Sequence, residues 1–99
     1  MIARFWSART SREYAREYAD HLSRTVLPEL KKIAGYQSGT LLQREVSDGI
    51  EVVVITYWES LASIRAFAGA DIETAVVADR AAALLTDYDR RVRHYEVVF

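Results

Sequence analysis

Ile50-Glu51-Val52-Val53-Val54-Ile55-Thr56-Tyr57-Trp58 is the stretch from which the fold can be read. Every residue in it except Glu51 is β-branched or aromatic, the composition of a pleated strand. A strand with one buried face alternates apolar and polar residues, because successive side chains point to opposite sides. From Val52 to Ile55 there is no alternation. Val52 and Val54 face one way and Val53 and Ile55 the other, so both sides of the sheet need covering here.

Working outward, Asp48-Gly49 precedes this strand and Tyr36–Ser47 is a second β-rich run. Asp-Gly between two such runs signals a two-residue hairpin, whose turn positions favour positive φ. That turn pairs Ser47 with Ile50, Arg44 with Val53 and Leu42 with Ile55. On the other side of the strand, Ser60 is an N-cap for a helix to about Ala68, ended by Gly69. Asp71 caps a further helical segment to about Thr86, Asp87–Asp89 connects, and Arg91–Phe99 is a closing strand. At the N-terminus Met1–Arg9 alternates, with Ile2, Arg4, Trp6 and Ala8 against Ala3, Phe5 and Ser7. Apolar groups on both sides mark another inner strand. Thr10–Ala34 has the period of a long helix, with Tyr14, Tyr18, Leu22, Val26 and Leu30 at spacing four. Thr10 and Glu13 form a capping box, Pro28 predicts a kink or break near Arg24–Leu27, and Gly35 ends the helix.

The element order is therefore strand, helix, strand, strand, helix, strand. This is an α+β, ferredoxin-like βαββαβ domain over residues 1–99, a four-stranded antiparallel sheet with its helices on one face. The helices leave the other face open although strands one, three and four are apolar on both. A homodimer with two sheets face to face covers it. The short chain would gain from that burial. The formal net charge of −1 gives no attraction to nucleic acid or anionic lipid. No apolar run approaches the ~20 residues of a membrane span, and Arg4 interrupts any signal-peptide core, so a cytoplasmic location is expected. Without cysteine there is no disulfide, thiolate metal site or cysteine nucleophile. No glycine-rich phosphate loop or metal-ligand spacing is present.

Three motifs carry a family resemblance: YWES at Tyr57–Ser60 after the valine-rich strand, IRAFAG at Ile64–Gly69, and VRHYEVV at Val92–Val98. With Val26–Arg44, VLPELKKIAGYQSGTLLQR, they resemble the antibiotic biosynthesis monooxygenase-like family along essentially the whole chain. The resemblance implies a dimeric α+β barrel with a pocket in each subunit between sheet and helices. Some members oxidise polycyclic aromatic substrates with O₂ and neither metal nor flavin; others degrade haem. The haem-degrading branch uses an asparagine on the first strand, a tryptophan in the helix after the third, and a histidine beyond it. Aligned on Trp58-Glu59-Ser60, the tryptophan position falls on Phe67 and the histidine position near Val77. The chain has no asparagine at all. These departures count against haem degradation.

Cofactor-free oxygenation asks for an apolar cavity, a base and groups that stabilise an anion. His94 is the candidate base, since imidazole titrates near neutrality, or else a sheet histidine bonded to a neighbour. Arg4, Trp6, Tyr57, Trp58 and Phe67 are the candidates for binding a small aromatic ligand, and Tyr36 joins the aromatic set. Arg4 inside a two-sided strand needs a partner, either Glu96 or an anionic ligand. The aromatic residues serve equally as core or dimer seam. His21, among charged residues of the long helix, reads as a surface residue. Two functions follow. One is a cofactor-independent monooxygenase acting on a small aromatic or polyketide-like molecule, with no metal, flavin or haem of its own. The other is a non-catalytic ligand-binding or structural homodimer. A cavity of roughly 300 Å³ or more, touched by His94, separates the first from the second.

Overall fold

A computed structural model describes the chain from Met1 to Phe99. Strand β1 (Ile2–Thr10) lies inside the sheet. It runs antiparallel to β3 (Gly49–Trp58) along its whole length, with Trp6 facing Val54 and Ala8 facing Val52. Strand β2 (Tyr36–Val46) pairs with the far side of β3. The outer edge of β1 is shared by β4 (Leu85–Tyr88) near Thr10 and β5 (Arg93–Glu96) near Ile2. The order β2-β3-β1-β4 with β5 on β1 is the ferredoxin-like arrangement.

The fourth strand is broken where a single Arg91–Phe99 strand was expected. Between β4 and β5, beyond Asp89, whose amide still donates to the Ser7 carbonyl of β1 at 3.0 Å, the chain bonds outward. Ala75 donates its amide to the Arg90 carbonyl at 2.9 Å, and Val92 donates to the Glu73 carbonyl at 2.8 Å. Arg91 fixes the excursion through Asp71 and Glu73, at 2.6 and 3.1 Å. The helix expected over Asp71–Thr86 shrinks to α4 (Asp79–Leu84), the last of four α-helices. The carbonyls of Ile72–Thr74 instead accept from Arg4 and from the Val92 amide.

The hairpin register also differs from expectation. Val46 pairs with Gly49 and Arg44 with Glu51, leaving Ser47 and Asp48 in the turn. No residue other than glycine has positive φ, so this is not the turn that Asp-Gly favours. Gly49 is held in the strand instead, where a Cβ would lie 2.6 Å from the Thr10 carbonyl oxygen. Each side chain nevertheless keeps its expected side of the sheet, since the slip is an even number of residues.

The long helix is α1 (Ala15–His21), a π-helical turn (Leu22–Val26) and α2 (Leu27–Leu30). Pro28 has no amide hydrogen to give to the carbonyl four residues back, and the ladder widens just before it. The expected capping box does not form, because Thr10 stays in β1 and donates its hydroxyl to the Leu84 carbonyl at 2.6 Å. Helix α3 (Leu61–Ala68) is capped by Ser60, whose Oγ accepts from the Ser63 amide at 3.3 Å, and ends at Gly69.

The helices cover the side of the sheet carrying Arg4, Trp6, Val52, Val54 and Trp58. The core there has two centres. Ala8, Tyr18, Val52 and Leu84 form one; Leu30, Trp58 and Ile64 form the other. Phe5, Leu42, Val53, Ile55 and Tyr95 lie on the opposite side, which no element of the chain covers; Leu42 and Tyr95 are each 51% exposed. No helix is long and apolar enough to cross a membrane.

Candidate functional site

Between the two core centres the packing leaves a cavity of about 90 Å³, lined mainly by hydrophobic side chains. The sheet wall is Arg4 and Trp6 of β1 with Val54 and Thr56 of β3. The helix wall includes Tyr18, His21 and Leu22, and Phe67 closes one side. Residues Val76–Ala78, in the non-helical approach to α4, complete the lining. The volume is below the roughly 300 Å³ at which ligand pockets begin.

Arg4 is the unusual group. Its residue is only 5% exposed, yet no carboxylate pairs with it. The expected ion pair with Glu96 is absent, because Ile2, not Arg4, is the residue opposite Glu96. Two backbone carbonyls hold the guanidinium: Nη1 donates to Ile72 and Nη2 to Thr74, the latter at 2.8 Å. Nη1 also meets His94 Nε2 at 3.0 Å, and the guanidinium carbon sits 5.5 Å from the centre of the Phe67 ring. Burial pulls its pKa down to about 10, so Arg4 remains a cation at neutral pH. These contacts tie the non-helical segment before α4 to β1.

His94 lies across from Arg4 on β5 and is not part of the cavity lining. A guanidinium can only donate, so Nε2 of His94 must carry the lone pair and the proton sits on Nδ1. Burial, and then the Arg4 charge, hold the His94 pKa below its ordinary value, partly offset by Glu73. The nitrogen that would act as a base is thus occupied.

The structure brings together three of the candidate binding residues, Arg4, Trp6 and Phe67. It separates two. Trp58 is fully buried in the core, donating Nε1–H to Thr56 Oγ1 at 2.9 Å and stacking on Phe67 with centroids 5.6 Å apart. Tyr57 alternates with it and points to the uncovered side of the sheet. Tyr36 meets the Trp58 ring edge-on at 5.2 Å and is likewise core. His21, expected at the surface, lines the cavity instead, and its Nε2 is sealed from solvent with no hydrogen-bond partner in the protein. The spacing of four that places Tyr18 and Leu22 inward runs beside His21, and no charge or motif singles it out. No group of three or more His, Asp or Glu side chains is placed to hold a metal ion.

The antibiotic biosynthesis monooxygenase family model matches residues 1–79. Solved structures share the fold at low sequence identity. The haem degrader MhuD of Mycobacterium tuberculosis, with two haems bound in its active site, is 18% identical with a TM-score of 0.70, covering 100% of this chain and 97% of that one. A Deinococcus radiodurans protein assigned to the antibiotic biosynthesis monooxygenases is 14% identical, TM-score 0.69, covering 100% and 94%. A monooxygenase of Streptomyces coelicolor in complex with nanaomycin D is 19% identical, TM-score 0.57, covering 95% and 82%. Among curated proteins no sequence matches.

Proposed function

The chain belongs to the antibiotic biosynthesis monooxygenase family, and from that premise we propose that it is a cofactor-independent monooxygenase for a small aromatic or polyketide-like substrate. The observation that carries this reading is a buried cation without a counter-charge on the wall of an apolar cavity. A planar phenol or anthrone suits such a site. Losing a proton makes it an anion, which Arg4 stabilises in a low-dielectric setting where a fixed charge acts strongly. The electron-rich carbanion then reduces O₂ itself. A carbon–oxygen bond forms to give a hydroperoxide, and loss of water leaves a carbonyl, so an anthrone and one O₂ become a quinone and water. No metal, flavin or haem is required for that balance. Trp6 and Phe67 supply flat contact surface.

A porphyrin suits this cavity poorly. Its volume is about 90 Å³, Phe67 lines it at the position aligned with the tryptophan of the haem-degrading branch, and Val77 lines it near the position of that branch's histidine. Any polycyclic substrate also needs more room than this cavity offers. The second reading, a non-catalytic ligand-binding homodimer, is the one favoured by cavity size and by His94, since the volume is under roughly 300 Å³, His94 does not line it, and Arg4 engages His94 Nε2. In either reading two subunits pack through the uncovered side of the sheet, where Phe5, Leu42, Val53 and Ile55 are apolar. Light scattering is expected to give about twice the 11.3 kDa of one chain. Oxygen uptake with anthrone-type and quinol substrates tests the enzyme. Equimolar O₂ consumption with quinone formation is expected; no uptake with either class leaves only the binding reading.

A further inference from the structure

His21 sits at the end of α1, immediately before the π-helical turn Leu22–Val26. A π turn is a rare widening of the helix, often retained where a side chain must be aimed at a site. The neighbouring positions show what an inert residue looks like here: Tyr18 and Leu22 are buried and pack into the core around the cavity. His21 differs from them. It lines the same cavity, and its Nε2 is cut off from solvent without a protein partner. Among buried polar side-chain atoms it is alone in that state. Leaving such an atom unpaired destabilises the fold, and leucine at this position would avoid the cost. The expense is explicable when a ligand satisfies the nitrogen.

We propose that His21 is the proton acceptor for the acidic hydroxyl of a phenol-type ligand held in this cavity. The proposal rests on the monooxygenase reading for the identity of the site, and it names the base that His94 is not placed to supply. The ligand O–H bond breaks, an Nε2–H bond forms, and the electron pair stays on the phenolate oxygen. The resulting anion lies in a cavity whose sheet wall carries the Arg4 cation and whose helix wall carries the new imidazolium. Neither charge then lacks a partner. At about 90 Å³ the cavity is smaller than the roughly 150 Å³ that accommodates benzene, so its lining must move outward for even a single aromatic ring to reach His21 Nε2.

4-Nitrophenol is the probe, because its phenol and phenolate forms absorb differently and so report the proton's position when bound. Titrated into the intact protein just below neutral pH, it is expected to bind as phenolate, with the imidazole of His21 shifting in the NMR spectrum to its protonated form. His21→Gln keeps size and hydrogen bonding but accepts no proton. It is expected to weaken binding on the order of tenfold and leave the bound probe as the neutral phenol. His94→Gln is expected to leave the bound probe as phenolate. Failure of the wild type to bind the probe, or phenolate bound equally well by His21→Gln, overturns the assignment. Oxygen uptake is scored separately. Uptake that persists in His21→Gln overturns this inference and leaves the monooxygenase reading standing. Phenolate binding that depends on His21, with no uptake from any substrate, supports this inference and removes the monooxygenase reading.

Discussion

Arg4 on the sheet wall of the cavity and His21 on its helix wall are polar groups with opposite treatment. Arg4 carries a full charge, yet its guanidinium is held by two carbonyls and an imidazole that the fold turns toward it. His21 is uncharged when neutral, and nothing in the protein meets its buried nitrogen. The contrast teaches which wall is built for position and which for exchange. A fixed cation stabilises charge without having to reorganise. A group that takes and returns a proton must not have its lone pair committed elsewhere, as that of His94 is.

The largest expected effect comes from Arg4→Met. It leaves the Ile72 and Thr74 carbonyls and His94 without their donor, and should cost about 2–4 kcal/mol in urea unfolding. A cost near zero would mean that water replaces the guanidinium, and the sheet wall would be as open as the helix wall. His21→Leu should move stability the other way. Removing an unpartnered nitrogen is worth about 1 kcal/mol, or about 4–8 °C in thermal midpoint for a domain of this size. A destabilised His21→Leu would show that the ring already has its partner and would erase the contrast.

His94 gives a smaller effect with a definite sign. Its folded pKa lies below the ordinary 6.5, so the folded protein binds the proton less readily than the unfolded chain. Its contribution is complete above about pH 6.5 and is lost as the pH falls from there through the folded pKa. Thermal midpoints of the wild type should therefore drop on acidification across this range, and His94→Gln should reduce the slope. A slope unchanged in the variant would place the titration elsewhere. The smallest effect belongs to the Arg80–Glu17 pair, which joins α4 to α1 at 2.8 Å with both side chains about half exposed. Arg80→Ala should change stability by less than about 1 kcal/mol. A larger loss would make the outer surface of the helix wall more rigid than its exposure suggests.

How far the sequence could be read depended on whether a local pattern had a competitor. Val52–Ile55, apolar on both sides, and the Ser60 cap with Gly69 placed β3 and α3 correctly, because nothing else claims those residues. Thr10 looked like a helix cap, but its hydroxyl bonds the Leu84 carbonyl, a partner distant in sequence. Gly49 looked like a turn residue, but the Thr10 carbonyl leaves no space for a Cβ there, and the strand takes it. The stretch Asp71–Ala78 has helical spacing, yet a single buried arginine draws two of its carbonyls away. Arg4 was conspicuous as a charge within an apolar strand. His21 was hidden, since charged neighbours in sequence say little about which way one helical position faces when the ladder widens beside it.

If the buried Arg4 cation stabilises an anion formed in the cavity, turnover must depend on it. Oxygen uptake with an anthrone-type substrate, measured for wild type, Arg4→Lys and Arg4→Met at a temperature where circular dichroism shows all of them folded, tests it most directly. The expected result is a fall in kcat of about 10²–10³ for Arg4→Met, the range for removing a donor aimed at a developing anion. Arg4→Lys should fall between, keeping the charge but not the planar fork that engages several partners together. Folded Arg4→Met turning over at the wild-type rate would show that Arg4 does not stabilise the anion.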